Sequence, residues 1–265
     1  MIKGDNILNV GTPAGGGVSI IANDPVTSGG GGDSIPITAD LAAHFQADAD
    51  NTYSNAGITL AVDGDNIRQI NDVSGNSNNL DQSSASNQLI FKDDSLQVSN
   101  GKYWKGNSVD VMNLTSDIFV DVLIGYTSFM VCKKDTLTRF ASAFGMDPVG
   151  STVLWNNLGD FFIGTAPYGV VSAGVNSTDW AVVTARVTHN GTQNVIEAWV
   201  DSTSVGTSGG FNYSSDSNLQ SAFNRVSPLN KNDVEYAELV HYDAPLSDTD
   251  VVTVSDWLKT RHSIT

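Results

Sequence analysis

Carboxylates dominate the chemistry this chain could do. Of its 29 acidic residues only Glu197, Glu235 and Glu238 are glutamates, so 26 are aspartates. Glycoside hydrolysis needs two carboxyl groups facing one site, one to donate a proton and one to attack or to activate water. Glu235 and Glu238 lie three apart in a run that reads as a strand, and a period of two puts them on opposite faces. An enzyme is therefore not expected. Gly206-Thr207-Ser208-Gly209-Gly210 matches G-x-S-x-G in form, but a nucleophile elbow needs a helix after the serine, and Phe211-Asn212-Tyr213-Ser214 continues as loop. His44, His189, His241 and His262 have no mutual metal-ligand spacing, so surface or satisfied core positions are expected. Cys132 is the only cysteine, which excludes an internal disulfide and a thiolate metal cluster within one chain.

Binding chemistry has more candidates. Asp63-Gly64-Asp65-Asn66 and the stretch from Asp72 to Asn78 gather oxygen atoms on tight turns, as a hard cation requires. Calcium is the ion they could take, with Asp63, Asp65, Asp72 and Asn76 as ligands. The same residues are ordinary turn formers, because Asp and Asn side chains cap their own backbone. No other cofactor is expected. Sugar binding needs an exposed aromatic platform beside amides and carboxylates, and Trp104, Trp155, Asn156 and Tyr213 are the candidates. Each is equally explained as packing in a sheet protein.

The elements that must position these groups are mostly strands. Asp favours turns and caps, and with 25 glycines it argues for many strands and loops and little helix. Thr59 to Val62, Ile67 to Ile70, Leu89 to Phe91, Ser128 to Cys132, Phe140 to Phe144, Phe161 to Ile163, Val170 to Ala173 and Val234 to Tyr242 read as strands. The clearest pair is Ala181 to Thr188 and Asn194 to Val200, joined across Asn190-Gly191, which tolerates the positive φ of a hairpin turn. In its first arm Val183, Ala185 and Val187 alternate with Thr184, Arg186 and Thr188, predicting one buried face and one wet face. Ser247 can cap a C-terminal helix whose Val251, Val254, Trp257 and Leu258 share a face, expected to pack on the edge of the sheets. Residues 35–265 are expected to form one domain.

The 13 Lys and Arg against 29 Asp and Glu leave a formal net charge of −16, so nucleic acid and anionic membrane surfaces are not expected partners. Residues 1–34 carry two glycine runs with apolar islands at Ile7, Leu8, Val18, Ile20 and Ile21. That composition predicts an extended arm ordered by docking on a partner, or a plain leader. The start of the chain has no apolar h-region, so no secretory signal is expected, although the Asn/Ser/Thr/Gly-rich texture suits an exterior protein.

Four stretches carry a family likeness. Asn71-Asp72-Val73-Ser74-Gly75-Asn76-Ser77-Asn78-Asn79-Leu80 resembles a D-x-S-G-N-x-N turn, Thr127-Ser128-Phe129-Met130-Val131 an F-T-x-x-V strand, and Trp180 to Val200 a W-x-x-V hairpin. Val234 to Asp248 is similar to an ending E-x-x-x-Y-x-x-x-L-S-D followed by a helix. Together they resemble the laminin-G-like branch of the concanavalin A-like lectin/glucanase superfamily, over about Leu41 to Ile264. The resemblance implies an all-β, two-sheet antiparallel jelly-roll sandwich with one C-terminal helix, outside the glycine-rich arm. It implies no activity by itself, since the branch occurs in enzymes, adhesins and phage virion proteins. The E-x-D-x-x-E strand of the glucanase members is missing. The expected role is a non-enzymatic structural protein on the exterior of a bacteriophage virion, a capsid decoration or appendage subunit. Its expected partners are capsid subunits, further copies of itself and surface glycans. The alternative is an extracellular carbohydrate-binding module of the same fold.

Overall fold

In the computed structural model the described residues are 34–96, 98, 101–106, 110–121, 123–134, 144–147, 150–151, 153–155, 161–165, 169–172, 179–210, 217–223 and 234–265. In chain order the strands are β1 (Leu41–Gln46), β2 (Thr52–Asn55), β3 (Thr59–Leu60), β4 (Gln69–Ile70), β5 (Leu80–Asp81), β6 (Ile90–Asp93), β7 (Lys102–Lys105), β8 (Met112–Val120), β9 (Gly125–Lys134) and β10 (Phe144–Asp147). They continue with β11 (Gly150–Ser151), β12 (Val153–Trp155), β13 (Phe161–Thr165), β14 (Gly169–Ser172), β15 (Ala181–His189), β16 (Asn194–Val200), β17 (Thr203–Thr207), β18 (Ser217–Ala222) and β19 (Val234–Tyr242), followed by helix α1 (Asp248–His262). Two antiparallel eight-stranded sheets form the sandwich. The first runs β17-β16-β15-β9-β19-β7-β6, with β1 also on β19. The second runs β11-β10-β18-β8-β5-β4-β2-β3, and β12-β13-β14 make a small third sheet. The predicted antiparallel sandwich with one C-terminal helix is what the chain forms. The arm residues Ile7, Leu8, Val18, Ile20 and Ile21 lie outside the described residues.

The main core lies between the two large sheets. Phe45, Trp104, Phe223 and Tyr236 sit in it almost without exposure, and their rings meet edge to face, Trp104 on Phe223 at 5.5 Å and Phe223 on Tyr236 at 4.6 Å. A second core lies on the outer face of the first sheet, where Phe129, Val131, Val182, Trp199 and Val240 meet Val251, Val254 and Leu258 of α1. The helix therefore covers a sheet face and does not sit on an edge. That cover also changes β15: Thr184 and Arg186, expected to be wet, are buried. Thr184 Oγ1 lies 3.3 Å from Ser255 Oγ of α1. Arg186 pairs with Glu197 and Asp248, donates to the Leu246 carbonyl and stacks over Trp199. The helix stays in place because both its ends are built for it. Ser247 Oγ accepts from the Asp250 N–H, Asp248 and Asp250 occupy the positive end, and Ser263 closes the last turn in the left-handed conformation.

A bulge in β19 sets the faces of the two glutamates. Between Tyr236 and Glu238 the register against β9 shifts, with Tyr236 opposite Cys132 and Glu238 opposite Val131. Val234, Tyr236 and Leu239 all point into the main core, while Ala237 and Val240 belong to the helix-covered face. One inserted residue flips the parity, so Glu235 and Glu238 share the outer face, contrary to the period-two expectation.

Candidate functional site

Glu238 is 1% exposed and binds three α1 or β1 side chains at once. Its Oε1 lies 2.5 Å from His44 Nε2, and its Oε2 accepts from His262 Nε2 at 2.6 Å and from Arg261 Nε at 3.0 Å. Burial alone would push this carboxyl up, but the hydrogen bonds from His262 and His44 outweigh it and hold it well below the usual carboxylate range. Glu235 lies nearer solvent, 3.6 Å from Lys105 Nζ and 3.7 Å from Lys133 Nζ. Neither glutamate lines the cleft described below. The group is a latch that ties the end of α1 to β1 and β19. His241, on the other face of β19, is fully buried; desolvation lowers its pKa to about 3, so it stays neutral while Ser128 Oγ sits 2.9 Å from Nδ1.

The two Asx-rich turns fold around protein donors. Asp63 accepts from Lys92 Nζ and the Asp93 N–H, and Asp65 accepts from the Val62 N–H. Asp72 accepts four bonds: the N–H groups of His44 and Ser74 on Oδ1, and Ser74 Oγ–H and the Asn78 N–H on Oδ2. Among the described residues no three His, Cys, Asp or Glu side chains converge as a metal would need. The Asp72 turn instead covers the free edge of β1. Asn76 Nδ2 donates to the Leu41 and Ala42 carbonyls, Asn78 Nδ2 to the Ala42 carbonyl, and the Val73 N–H to the His44 carbonyl. Side-chain amides thus take the place of a neighbouring strand.

That arrangement builds one wall of a cleft of about 400 Å3, lined by Asp40, Asn76, Asn78, Asp117 and Asp243 over the Leu41–Ala42 backbone. Asp40 and Asp243 lie just outside β1 and β19, linked by the Asp243 N–H to the Asp40 carbonyl at 3.0 Å. Burial and then the Asp40 charge push the Asp243 carboxyl up. Asp117 comes from the solvent face of β8, where Oδ2 accepts from Asn218 Nδ2 at 3.4 Å and Gln220 Nε2 at 3.2 Å. Two residues on, about 7 Å along the same face, Phe119 is 57% exposed. Leu123 and Ile124, at the turn between β8 and β9, are exposed at the same end of the sandwich. The cleft is thus a polar, open depression at the end of the sandwich where these exposed apolar side chains also lie.

Of the sugar-contact candidates, Trp104 is ruled out. It is fully buried in the main core, with Nε1 donating to Thr52 Oγ1 at 3.2 Å, because its strand turns it inward between the sheets. Trp155 falls in β12, but its side chain, Asn156 and Tyr213 lie outside the described residues. Ser208 follows β17 and exchanges hydrogen bonds with Ile196, as a polar turn residue does. Of the calcium candidates only Asn76 reaches the cleft. Sequence reasoning missed Asp40, Asn78, Asp117, Phe119 and Asp243 as site residues. The signal that could have found two of them is β8, whose Met112, Leu114, Ile118 and Val120 are buried while Asn113, Thr115, Asp117 and Phe119 are exposed.

No family model and no curated protein matches this sequence. Solved structures match its fold at low identity. A Trypanosoma rangeli sialidase in complex with 2,3-difluoro-KDN aligns with a TM-score of 0.53 at 13% identity, over 89% of this chain and 35% of the sialidase chain. The binding domain of Paraclostridial Mosquitocidal Protein 1 aligns with a TM-score of 0.53 at 12% identity, over 83% of this chain and 52% of that one. Domain 4 of AbnA, a GH43 extracellular arabinanase from Geobacillus stearothermophilus in complex with arabinotriose, gives 0.48 at 15% identity, over 82% and 98%. The chain thus spans about a third of the sialidase and about half of the mosquitocidal chain. What it shares with these two is the β-sandwich fold.

Proposed function

We propose that this protein is a non-catalytic recognition module that binds glycan in the cleft between β1, β8 and β19. The observation that carries the reading is the convergence of three carboxylates and two anchored amides in one cleft, with Phe119 exposed two residues along β8 from Asp117. Planar carboxylates and amides accept hydrogen bonds from neighbouring sugar hydroxyls, and an exposed ring can cover the apolar C–H face of a pyranose. The mosquitocidal protein of the same fold is described as a binding domain, which agrees with a recognition role. The glycine-rich arm with its apolar islands and the acidic, Asx-rich exterior texture support placing the module on the outside of a bacteriophage virion, docked on capsid subunits or further copies of itself. An extracellular carbohydrate-binding module would use the same cleft.

The test is a glycan array probed with the full chain and with Asp117→Asn and Phe119→Ala. Binding to at least one glycan class, lost in both variants while their unfolding midpoints stay at the parent value, is the expected result. Silence across the array, or binding that survives both changes, overturns the cleft. The virion setting is tested separately by deleting residues 1–34: the truncated chain should fold yet fail to join particles, and normal occupancy would sink the docking arm.

A further inference from the structure

The chain covers two of its sheet edges and leaves another open. The free edge of β1 is taken up by the Asp72 turn. That of β6 is covered by residues 64–67, where the Gly64 N–H donates to the Phe91 carbonyl, the Phe91 N–H to the Asp65 carbonyl and the Ile67 N–H to the Leu89 carbonyl. β3 ends the second sheet. Beside it the Ala61 N–H turns inward to the Thr52 carbonyl of β2 at 2.8 Å, so by the alternation of a strand the N–H and C=O of Leu60 point out of the sheet. Ile58, Leu60 and Val62 follow this edge two residues apart and are 77%, 45% and 65% exposed, whereas Ala61 is buried. An open edge with alternating apolar side chains is a template for a further strand.

Charge decides what can occupy it. With a net charge of −16, two copies of this chain repel over most of their surface. Residues 51–62 carry no charge at all, and Asp63, which follows them, is answered by Lys92 Nζ at 2.8 Å. The exposed apolar side chains of Phe119, Leu123 and Ile124, in contrast, are flanked in the chain by Asp117 and Asp121. We infer that β3 pairs with β3 of a second copy, antiparallel about a twofold axis at Leu60, so that the second sheets of two chains join edge to edge. In that register Leu60 faces its own counterpart, and the two exchange N–H···O=C bonds in both directions. Ile58 faces Val62 of the other copy and Val62 faces its Ile58, so each apolar side chain meets another on the same face. The spacing of apolar residues is symmetric about Leu60, as an isologous contact requires. The Val62 N–H is held by Asp65 Oδ2, which confines the backbone pairing to Leu60 and leaves the flanks to apolar contact. So short a contact belongs to the transient class that buries less than about 1,200 Å2 in total. It does not depend on the glycan reading, and it would give a recognition module two clefts instead of one.

The experiment is sedimentation of the full chain over about 1 to 300 µM, a range suited to a transient contact, beside Leu60→Lys and Leu123→Asp. Both residues are exposed, and unfolding midpoints at the parent value confirm that the variants keep the fold. The expected result is an average mass that rises with concentration from one chain toward two in the parent and in Leu123→Asp alike. Leu60→Lys sets like charges opposite each other across the axis and should weaken association at least about tenfold. The register is read with Leu60→Cys: residues opposed in a hydrogen-bonded pair have Cα atoms about 5.5 Å apart, within reach of a disulfide. Cys132 is buried, so mild oxidation should cross-link two copies through position 60, whereas Leu123→Cys should stay uncross-linked. A parent that remains one chain at every concentration overturns the pairing. So does association that survives Leu60→Lys, that is lost in Leu123→Asp, or that gives no cross-link in Leu60→Cys.

Discussion

Replacing Glu238 by alanine should unlatch the end of α1 from the sheet. In the native protein its two oxygens take hydrogen bonds from His44, His262 and Arg261. The histidine side chains are only 4% and 6% exposed, whereas that of Arg261 is 16% exposed and can swing to water. The cost therefore falls on two buried ring N–H groups left without an acceptor, at about 1–3 kcal/mol each. A loss of about 3–5 kcal/mol is expected, the range for breaking a buried ion pair by removing one partner. Glu235→Ala, on the same face, should cost about 1 kcal/mol or less, because Lys105 and Lys133 regain water. Urea unfolding of the three proteins at neutral pH reads the difference, and repeating it in acid adds a signature. The Glu238 carboxyl is depressed in the folded state, so its contribution is complete above its ordinary value of 4.5 and is lost as pH falls through the folded value. The parent should lose its advantage over Glu238→Gln in strong acid. An alanine variant within about 1 kcal/mol of the parent would refute the latch.

Four further outcomes can be checked. Because His241 is held neutral with its pKa lowered to about 3, the unfolded chain binds its proton first; stability should fall as pH drops from about 6.5 to 3, by at most about 1.4 kcal/mol per unit, and His241→Leu should flatten that slope in denaturant titrations. Gly125 has φ +104° and a Cβ there would collide with the Val187 carbonyl, so Gly125→Ala should cost roughly 2–4 kcal/mol; a cost under about 0.5 kcal/mol would refute the strain. With Asp63 and Asp72 engaged by protein donors, excess chelator should leave the melting temperature within about 1 °C, and a clear drop would reveal a bound ion. Glycans that bind should not be cleaved, as read by release of reducing ends; robust hydrolysis abolished by Asp243→Asn would show the cleft to be catalytic.

Local rules were enough wherever a few neighbouring residues decide the structure. Asn190-Gly191 specifies the hairpin of β15 and β16, with Asn190 Oδ1 accepting from Thr192 and Gln193 and Gly191 at φ +92°. Ser247, the first-turn aspartates and the apolar spacing specify α1, and the apolar run from Val234 to Tyr242 marks β19 as a strand. The short strands with little periodicity were not legible, because β2, β5 and β7 exist only by pairing with residues distant in sequence. Nor was the bulge at Ala237, which no local pattern announces and which places Glu235 and Glu238 on one face. His44 lies 194 residues from Glu238, and Asp40, Asn76, Asp117 and Asp243 come from four separate stretches. Only the pairing of β1 with β19, the Asp72 turn covering its free edge and the stacking of the second sheet's β8 beside them bring those side chains to one cleft. Trp104 shows the converse: its residue type and polar neighbours suited a sugar platform, but the direction in which a strand side chain points is set by the sheet it joins.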